Sequence, residues 1–300
     1  GGLTISYLLG IKGSVLPRTL YWAVPNVGAT IFMYWLIKEA QWEPKVDVTI
    51  IYYGYNIMLS FLVTWRTQQA YSRWWEGGTL LQQARGEWFN AYSSTLAFCS
   101  TKDEMRGKVR KFQQNLVRLM SMLYCASLEQ ISQMENTNYE VIDGDSMDED
   151  SQRYLKESED RVEVVLQWVQ RHIVEGISSG VLVAAPPILS RVFQELGRGI
   201  VNINNVRKIT EFLCPFPIVQ MTTYLLLIHW FLTPVILAVI LDKWYWSALC
   251  SFVSVTALWA VNYIATEIEQ PFGDDPNDLP MHEMQQYMNR TLLALMEDRA

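Results

Sequence analysis

The sequence predicts an all-α membrane protein: four membrane-spanning helices joined to a helical domain outside the bilayer. Three observations carry this. Thr19–Ile37, Val48–Trp65, Phe212–Leu241 and Trp244–Thr266 contain no Asp, Glu, Lys or Arg, and each is long enough for a helix to cross a bilayer, the third with tilt. Between the second and third runs, apolar residues recur at three- and four-residue spacing, the mark of helices with one buried face. No stretch alternates apolar and polar residues as a half-buried strand does, and no internal repeat is present.

Composition supports a mixed architecture. Hydrophobic residues make up 50% and charged residues 18%, rich for a soluble chain and lean for one buried wholly in lipid. The net charge of −7 and the lack of a Lys/Arg-rich run argue against a nucleic-acid partner. Acid collects in Asp143–Asp160 and Glu267–Asp278. Cys99, Cys125, Cys214 and Cys250 lack metal-ligand spacing and read as reduced packing residues. The chain opens Gly1-Gly2-Leu3 with neither a signal-peptide nor a transit-peptide pattern.

Taken in order, the first region covers residues 1–77. Gly13-Ser14 marks a turn or helix start. Arg18 and Lys38 flank the first span, and Pro25 and Gly28 inside it are tolerated in a membrane helix. Lys38–Asp47, with Trp42 and Pro44, reads as an interfacial loop. The second span continues past Trp65 into Arg66-Thr-Gln-Gln-Ala-Tyr71-Ser-Arg73-Trp-Trp-Glu-Gly77 without a breaker, so one helix leaves the bilayer and keeps going.

Residues 78–208 form the extramembrane region. Leu80, Leu81, Ala84, Trp88 and Phe89 carry the helical spacing, as do Val109–Leu123 and Val162–Ile173. The acidic segment 136–150 reads as a mobile loop, and Pro186-Pro187 breaks the pattern. Residues 209–266 hold the third and fourth spans. Pro215 and Pro217 mark the entry, Pro234 is expected to kink the third span, and Asp242-Lys243 makes a hairpin flanked by Trp244 and Trp246 as interfacial anchors. Residues 267–300 comprise an acidic segment and an amphipathic helix over Gln285–Arg299. Four spans place both termini on one side. Arg66, Arg73, Lys102, Arg106, Lys108, Arg110 and Lys111 favour the cytoplasmic-type side for the insert.

At about 100° per residue, Ile57, Phe61 and Trp65 share one stripe of the second span. Ser60, Thr64 and Gln68 flank it, and Arg66 and Arg73 lie nearly opposite. From the residues alone, such a stripe faces a core or lipid as readily as a pore. The two arginines read as structural, paired with Glu76 or with an acid on another helix.

The stretch Arg66-Thr67-x-x-Ala70-Tyr71-x-Arg73-Trp74-Trp75-Glu76-Gly77 resembles the signature of the bestrophin family of anion channels. The resemblance is to the branch of bacterial homologues and voltage-dependent chloride channels of thylakoids. Glu267-Ile-Glu-Gln-Pro271-Phe-Gly-Asp-Asp275-Pro-Asn-Asp278-Leu-Pro280 resembles the segment after that family's last membrane helix. The likeness covers most of the chain.

It implies a homopentamer around one axial pore in a lipid bilayer, with chloride as the main permeant ion and bromide, nitrate or bicarbonate besides. The second membrane helix would line a narrow neck with Ile57, Phe61 and Trp65, with Ser60 and Thr64 as flanking hydroxyls. Trp65 departs from the Phe or small aliphatic residue common at the last neck position. Passage would be passive and voltage-dependent, in a chloroplast thylakoid membrane or, alternatively, a bacterial inner or other cell membrane. A cation channel or transporter on the same scaffold, and a non-conducting scaffold protein, are the rival readings.

The resemblance also implies calcium at Asp275 and Asp278, oxygen ligands suited to a hard cation. Pro276 and Asn277 stand where animal members carry acids. Read from its residues alone, the segment is an acidic capping turn. His172, His229 and His282 form no metal-binding pattern. His229 inside the third span is either functional or a hydrogen-bonded neutral imidazole. No Walker, GxGxxG, GxSxG or CxxC motif occurs, and no enzyme is expected.

Overall fold

Leu16–Ala40 opens the helical order as α1 and is followed by the 50-residue α2, Val48–Ala97. The computed structural model describes residues 10, 12–40, 48–132 and 139–297. Next come α3 (Arg106–Ile131), the short α4 (Glu149–Glu157), α5 (Arg161–Ser178) and α6 (Pro186–Glu211). The chain continues with α7 (Phe216–Ile240), α8 (Trp244–Ile268) and α9 (Met281–Ala294). Among the described residues the only β contact is an isolated bridge between Cys99 and Leu182. The expected interfacial loop falls on residues 41–47, outside the described residues apart from its first positions.

Contacts divide the chain into two units. The first holds Gly1–Trp74, Leu213–Pro271 and Asp275–Asp278. Its helices α1, α7, α8 and the start of α2 are those long and apolar enough to cross a membrane. Their shared core is small: Ala23, Leu59, Val63, Leu226, Val255 and Trp259. Large apolar side chains such as Phe32, Ile50, Phe216 and Phe231 point outward, the pattern of helices whose solvent is lipid.

Polar contacts replace the hydrophobic drive inside this unit. Pro234 cannot donate to the carbonyl of Trp230, four residues earlier. The Asn26 side-chain amide donates to that carbonyl at 2.5 Å, and the Ser251 hydroxyl donates to Asn26 Oδ1 at 2.7 Å. Trp22 stacks on Trp259 with centroids 4.2 Å apart, and its indole N–H donates to the Tyr263 hydroxyl at 2.8 Å.

The second unit holds Trp75–Phe212, Phe272–Asp274 and Leu279–Ala300. It has an ordinary large core, including Leu81, Trp88, Phe112, Leu116, Met120, Val169, Leu196, Ile203, Met288 and Leu292. Helix α3 packs against α5, α6 and α9. Trp88 donates its indole N–H to Leu196 O at 3.2 Å, and Tyr92 its hydroxyl to Leu292 O at 3.1 Å.

Three features of the sequence gain detail here. The Gly77-Gly78 pair, at the edge of the first sequence region, lies inside α2, which runs on through it. Its role is close packing: a Cβ on Gly77 would stand 2.7 Å from Phe272 Cζ. Pro186-Pro187 breaks the pattern by starting a new helix, at the positions where a missing N–H costs nothing.

The acidic stretch carries more structure than a free loop. Residues 136–138 lie outside the described residues, but beyond them Tyr139 is buried and Asp143 adopts a left-handed turn with φ 51°. Asp143 also pairs with Arg118 at 2.7 Å, and Asp148 caps α4 by accepting the Ser151 N–H at 2.9 Å. The bonds from Ser146 and Arg118 hold the Asp143 carboxyl below the usual range, and those from Ser151 do the same for Asp148.

Candidate functional site

Along its membrane part, α2 buries Tyr52, Leu59, Val63, Arg66 and Ala70. These steps of three, four and seven residues mark a single face. Leu59 and Val63 enter the core with Leu226, Val255 and Trp259. The other face stays bare: Ile57 is 73% exposed, Phe61 69% and Trp65 38% in the protomer, and Ser60 and Thr64 are exposed beside them.

Specific bonds fix which face is which. The Tyr55 hydroxyl donates to Leu225 O on α7. Tyr52 reaches His229 Nε2 at 3.4 Å and Thr233 Oγ1 at 3.2 Å. The Thr67 hydroxyl lies 3.2 Å from Val261 O on α8. Arg66 donates to Asn262 Oδ1 at 2.7 Å and pairs with Glu269 at 3.2 Å. The arginine's partner is thus the acid at the end of α8. Arg73 donates from Nε to Glu269 O at 3.2 Å, and Trp74 from its indole to Asn277 O at 3.2 Å. Trp75 and Glu76 are exposed and fall in the other unit.

The acidic turn after α8 is closed by its own atoms. Asp278 Oδ2 accepts the Asp275 N–H at 2.9 Å, the Asp278 N–H returns to Asp275 O at 3.0 Å, and Asn277 donates its amide to Gly13 O at 3.0 Å. Calcium takes about six to eight oxygen ligands. Among the described residues no group of three or more His, Cys, Asp or Glu could hold a metal. The carboxylates of Asp275 and Asp278, with one oxygen already closing the turn, fall short of that number by themselves.

The histidines are dispersed. His172 stacks on Phe112 with centroids 4.4 Å apart and donates from Nε2 to its carbonyl at 3.1 Å. His282 lies against Tyr139, centroids 4.7 Å apart. All four cysteines are free, and burial pushes the thiols of Cys99 and Cys125 up, as suits packing residues. Sequence reasoning missed the contacts of His229 with Tyr52, Thr233 and Ser254, and the role of Asn26. The second had a signal: a helical proline orphans the carbonyl four residues before it, which calls for a polar side chain from another helix.

A sequence profile described as "Bacterial/Fungal Bestrophin protein" matches residues 3–294. The chain belongs to the bestrophin family. A Nostoc sp. relative named a voltage-dependent anion channel-forming protein is 26% identical over 293 residues, 94% of this chain and 87% of the relative. A Synechocystis sp. relative of the same name is 23% identical over 304 residues, 97% of this chain and 91% of that one. Crystal structures of a bacterial bestrophin homolog from Klebsiella pneumoniae share the fold at 16% identity. One, carrying a point mutation, has TM-score 0.78 and covers 94% of this chain and 100% of its own. A second has the same score and covers 92% and 97%. The architecture is therefore the all-α bestrophin fold with four membrane helices.

Proposed function

We propose that this bestrophin forms a passive anion channel, with chloride as its main ion, through a homopentamer whose neck is lined by α2. The observation that carries the reading is the split of α2 into two faces. Leu59, Val63 and Arg66 are tied into the protomer, which leaves Ile57, Phe61 and Trp65 turned away from it. Cyclic symmetry turns each outward residue into a ring. The cyanobacterial relatives named as voltage-dependent anion channel-forming proteins support the same function. Family membership and those relatives indicate a channel, not an enzyme.

The geometry suits a gate that works by wetting. An apolar ring excludes water when narrow, and weakly hydrated anions lose least on entering it. The partly positive edges of Phe61 and Trp65 can face an anion without holding it. Trp65, the bulkiest ring, sets the narrowest point, and the hydroxyls of Ser60 and Thr64 stand beside the stripe as donors. Opening depends on voltage, and the membrane is a thylakoid membrane. The name of the cyanobacterial relatives supports the first assignment; the second rests on the resemblance to the thylakoid branch, and fractionation with an antibody to this chain tests it.

Chloride-sensitive dye in liposomes tests the function. Purified wild type should admit chloride down its gradient, and Phe61→Ala and Trp65→Ala should each speed entry severalfold while eluting as the same assembly. Ala variants that match wild type would remove the neck assignment. No entry through wild type at either sign of voltage would remove the channel.

A further inference from the structure

The imidazole of His229, buried in α7, is approached by hydroxyls from three helices. Its Nε2 lies 3.2 Å from Thr233 Oγ1 on its own helix, 3.2 Å from Ser254 Oγ on α8 and 3.4 Å from the Tyr52 hydroxyl on α2. Thr233 donates its own proton to the His229 carbonyl at 2.6 Å. Its oxygen is therefore an acceptor, open to an Nε2–H or to the Tyr52 hydroxyl 3.2 Å away. His229 Nδ1, by contrast, is buried with no hydrogen-bond partner among the described residues.

These facts fix the tautomer. A buried N–H without an acceptor is rarer and costlier than an idle lone pair, which places the single proton on Nε2. We propose that His229 is a positioning residue for the neck. With one proton it holds Tyr52, and so the rotation of α2 about Ile57, Phe61 and Trp65. The first of these lies five residues on, about 7.5 Å along the helix axis at the usual rise.

A second proton would put an N–H on Nδ1, where no acceptor stands. The titratable group facing the imidazole is the phenol of Tyr52, with Tyr55 near the His229 backbone. None of its bonded partners among the described residues is a carboxylate, an ammonium or a guanidinium. The second proton is therefore disfavoured while the imidazole stays in this site, and acidification strong enough to add it drives the ring out of the hydroxyl cluster, which frees Tyr52 and shifts the neck. The inference rests on the reading of Ile57, Phe61 and Trp65 as the neck.

The test is the current through full-length protein in planar bilayers, titrated from about pH 7.5 to about pH 4, past the range over which a free histidine changes charge, because the site offers no acceptor for the N–H a second proton would create. Wild type should change its open probability reversibly by on the order of tenfold, the factor that about 1.4 kcal/mol of differential stability makes. His229→Gln, which keeps an amide donor and cannot titrate, should conduct at the upper pH and stay flat on acidification. Tyr52→Phe, which cuts the link to α2, should lose most of the response. A flat wild-type profile, or a wild-type response kept by His229→Gln, overturns the proposal.

The neck reading fails separately, through Ile57→Ala and Phe61→Ala variants with unaltered conductance. If neither wild type nor variant conducts, thermal unfolding in detergent decides. A smaller pH dependence of Tm in His229→Gln than in wild type supports the positioning role, and superimposable curves overturn it.

Discussion

The side-chain amide of Asn26 donates to the carbonyl of Trp230, the carbonyl that Pro234 leaves without its helical donor. A helix in lipid has no water to meet such a group, so the proline on α7 and the asparagine on α1 are one structural unit.

Asn26→Leu should therefore destabilise the membrane unit by about 1–3 kcal/mol, the usual cost of an unmet buried polar group. Differential scanning fluorimetry in detergent measures it. Asn26→Leu combined with Pro234→Ala, which restores the helical donor, should recover most of the loss.

Arg66 and Glu269 are mostly buried, with side chains 5% and 15% exposed. Removing one partner strands the other, a loss of about 3–5 kcal/mol for a buried pair. Arg66→Gln should cut the yield of assembled protein in size-exclusion chromatography, and Arg66→Met with Glu269→Gln should restore part of it. Arg73→Gln, which loses the bond to Glu269 O, should likewise lower assembly more than it alters ion selectivity.

Gly199 admits the Trp88 indole, because a Cβ there would fall on its Nε1. Gly199→Ala should cost roughly 1–3 kcal/mol, as overpacked cores do, while Gly197→Ala, with open space at its Cβ position, should be tolerated. Chemical denaturation followed by circular dichroism separates the two.

Chelation of calcium should leave the currents unchanged, since the Asp275–Asp278 turn is closed by its own hydrogen bonds. Asp278→Ala should loosen that turn, read as faster proteolysis, and calcium should not protect it. A chelator-sensitive current lost in Asp275→Ala would reverse this.

The carboxyls of Asp143 and Asp148 are held below their usual range by hydrogen bonds from Ser146, Arg118 and Ser151. A depressed carboxyl stabilises the fold above its unfolded value and loses that stabilisation as pH falls through the folded value. Hydrogen-exchange protection over α4, corrected for the intrinsic pH dependence of exchange, should therefore fall below about pH 4, where unperturbed aspartate protonates, and hold steady above it.

The membrane helices were legible because lipid imposes a length and a charge rule that sequence displays directly. Span limits differ from the observed helices by a few residues, at ends such as Ile37 against Ala40. The long α2 was legible only in part. Gly77 normally signals punctuation, and only the Phe272 ring packed against it shows otherwise. The stripe Ile57, Phe61 and Trp65 was legible from helical periodicity; that it is turned away from the protomer core was not, because such a stripe faces a core as readily as it faces outward. The contacts of His229 were not, because three hydroxyls from distant segments meet by tertiary packing that no local pattern records. The identity of Glu269 as the Arg66 partner, 203 residues away, was hidden for the same reason.

The measurement that tests the central claim most directly is the reversal potential of purified protein in a planar bilayer with unequal KCl on its two sides. Anion conduction through the α2 neck predicts reversal near the chloride equilibrium potential, preserved in Trp65→Ala with larger unitary current. Reversal near the potassium equilibrium potential would contradict it.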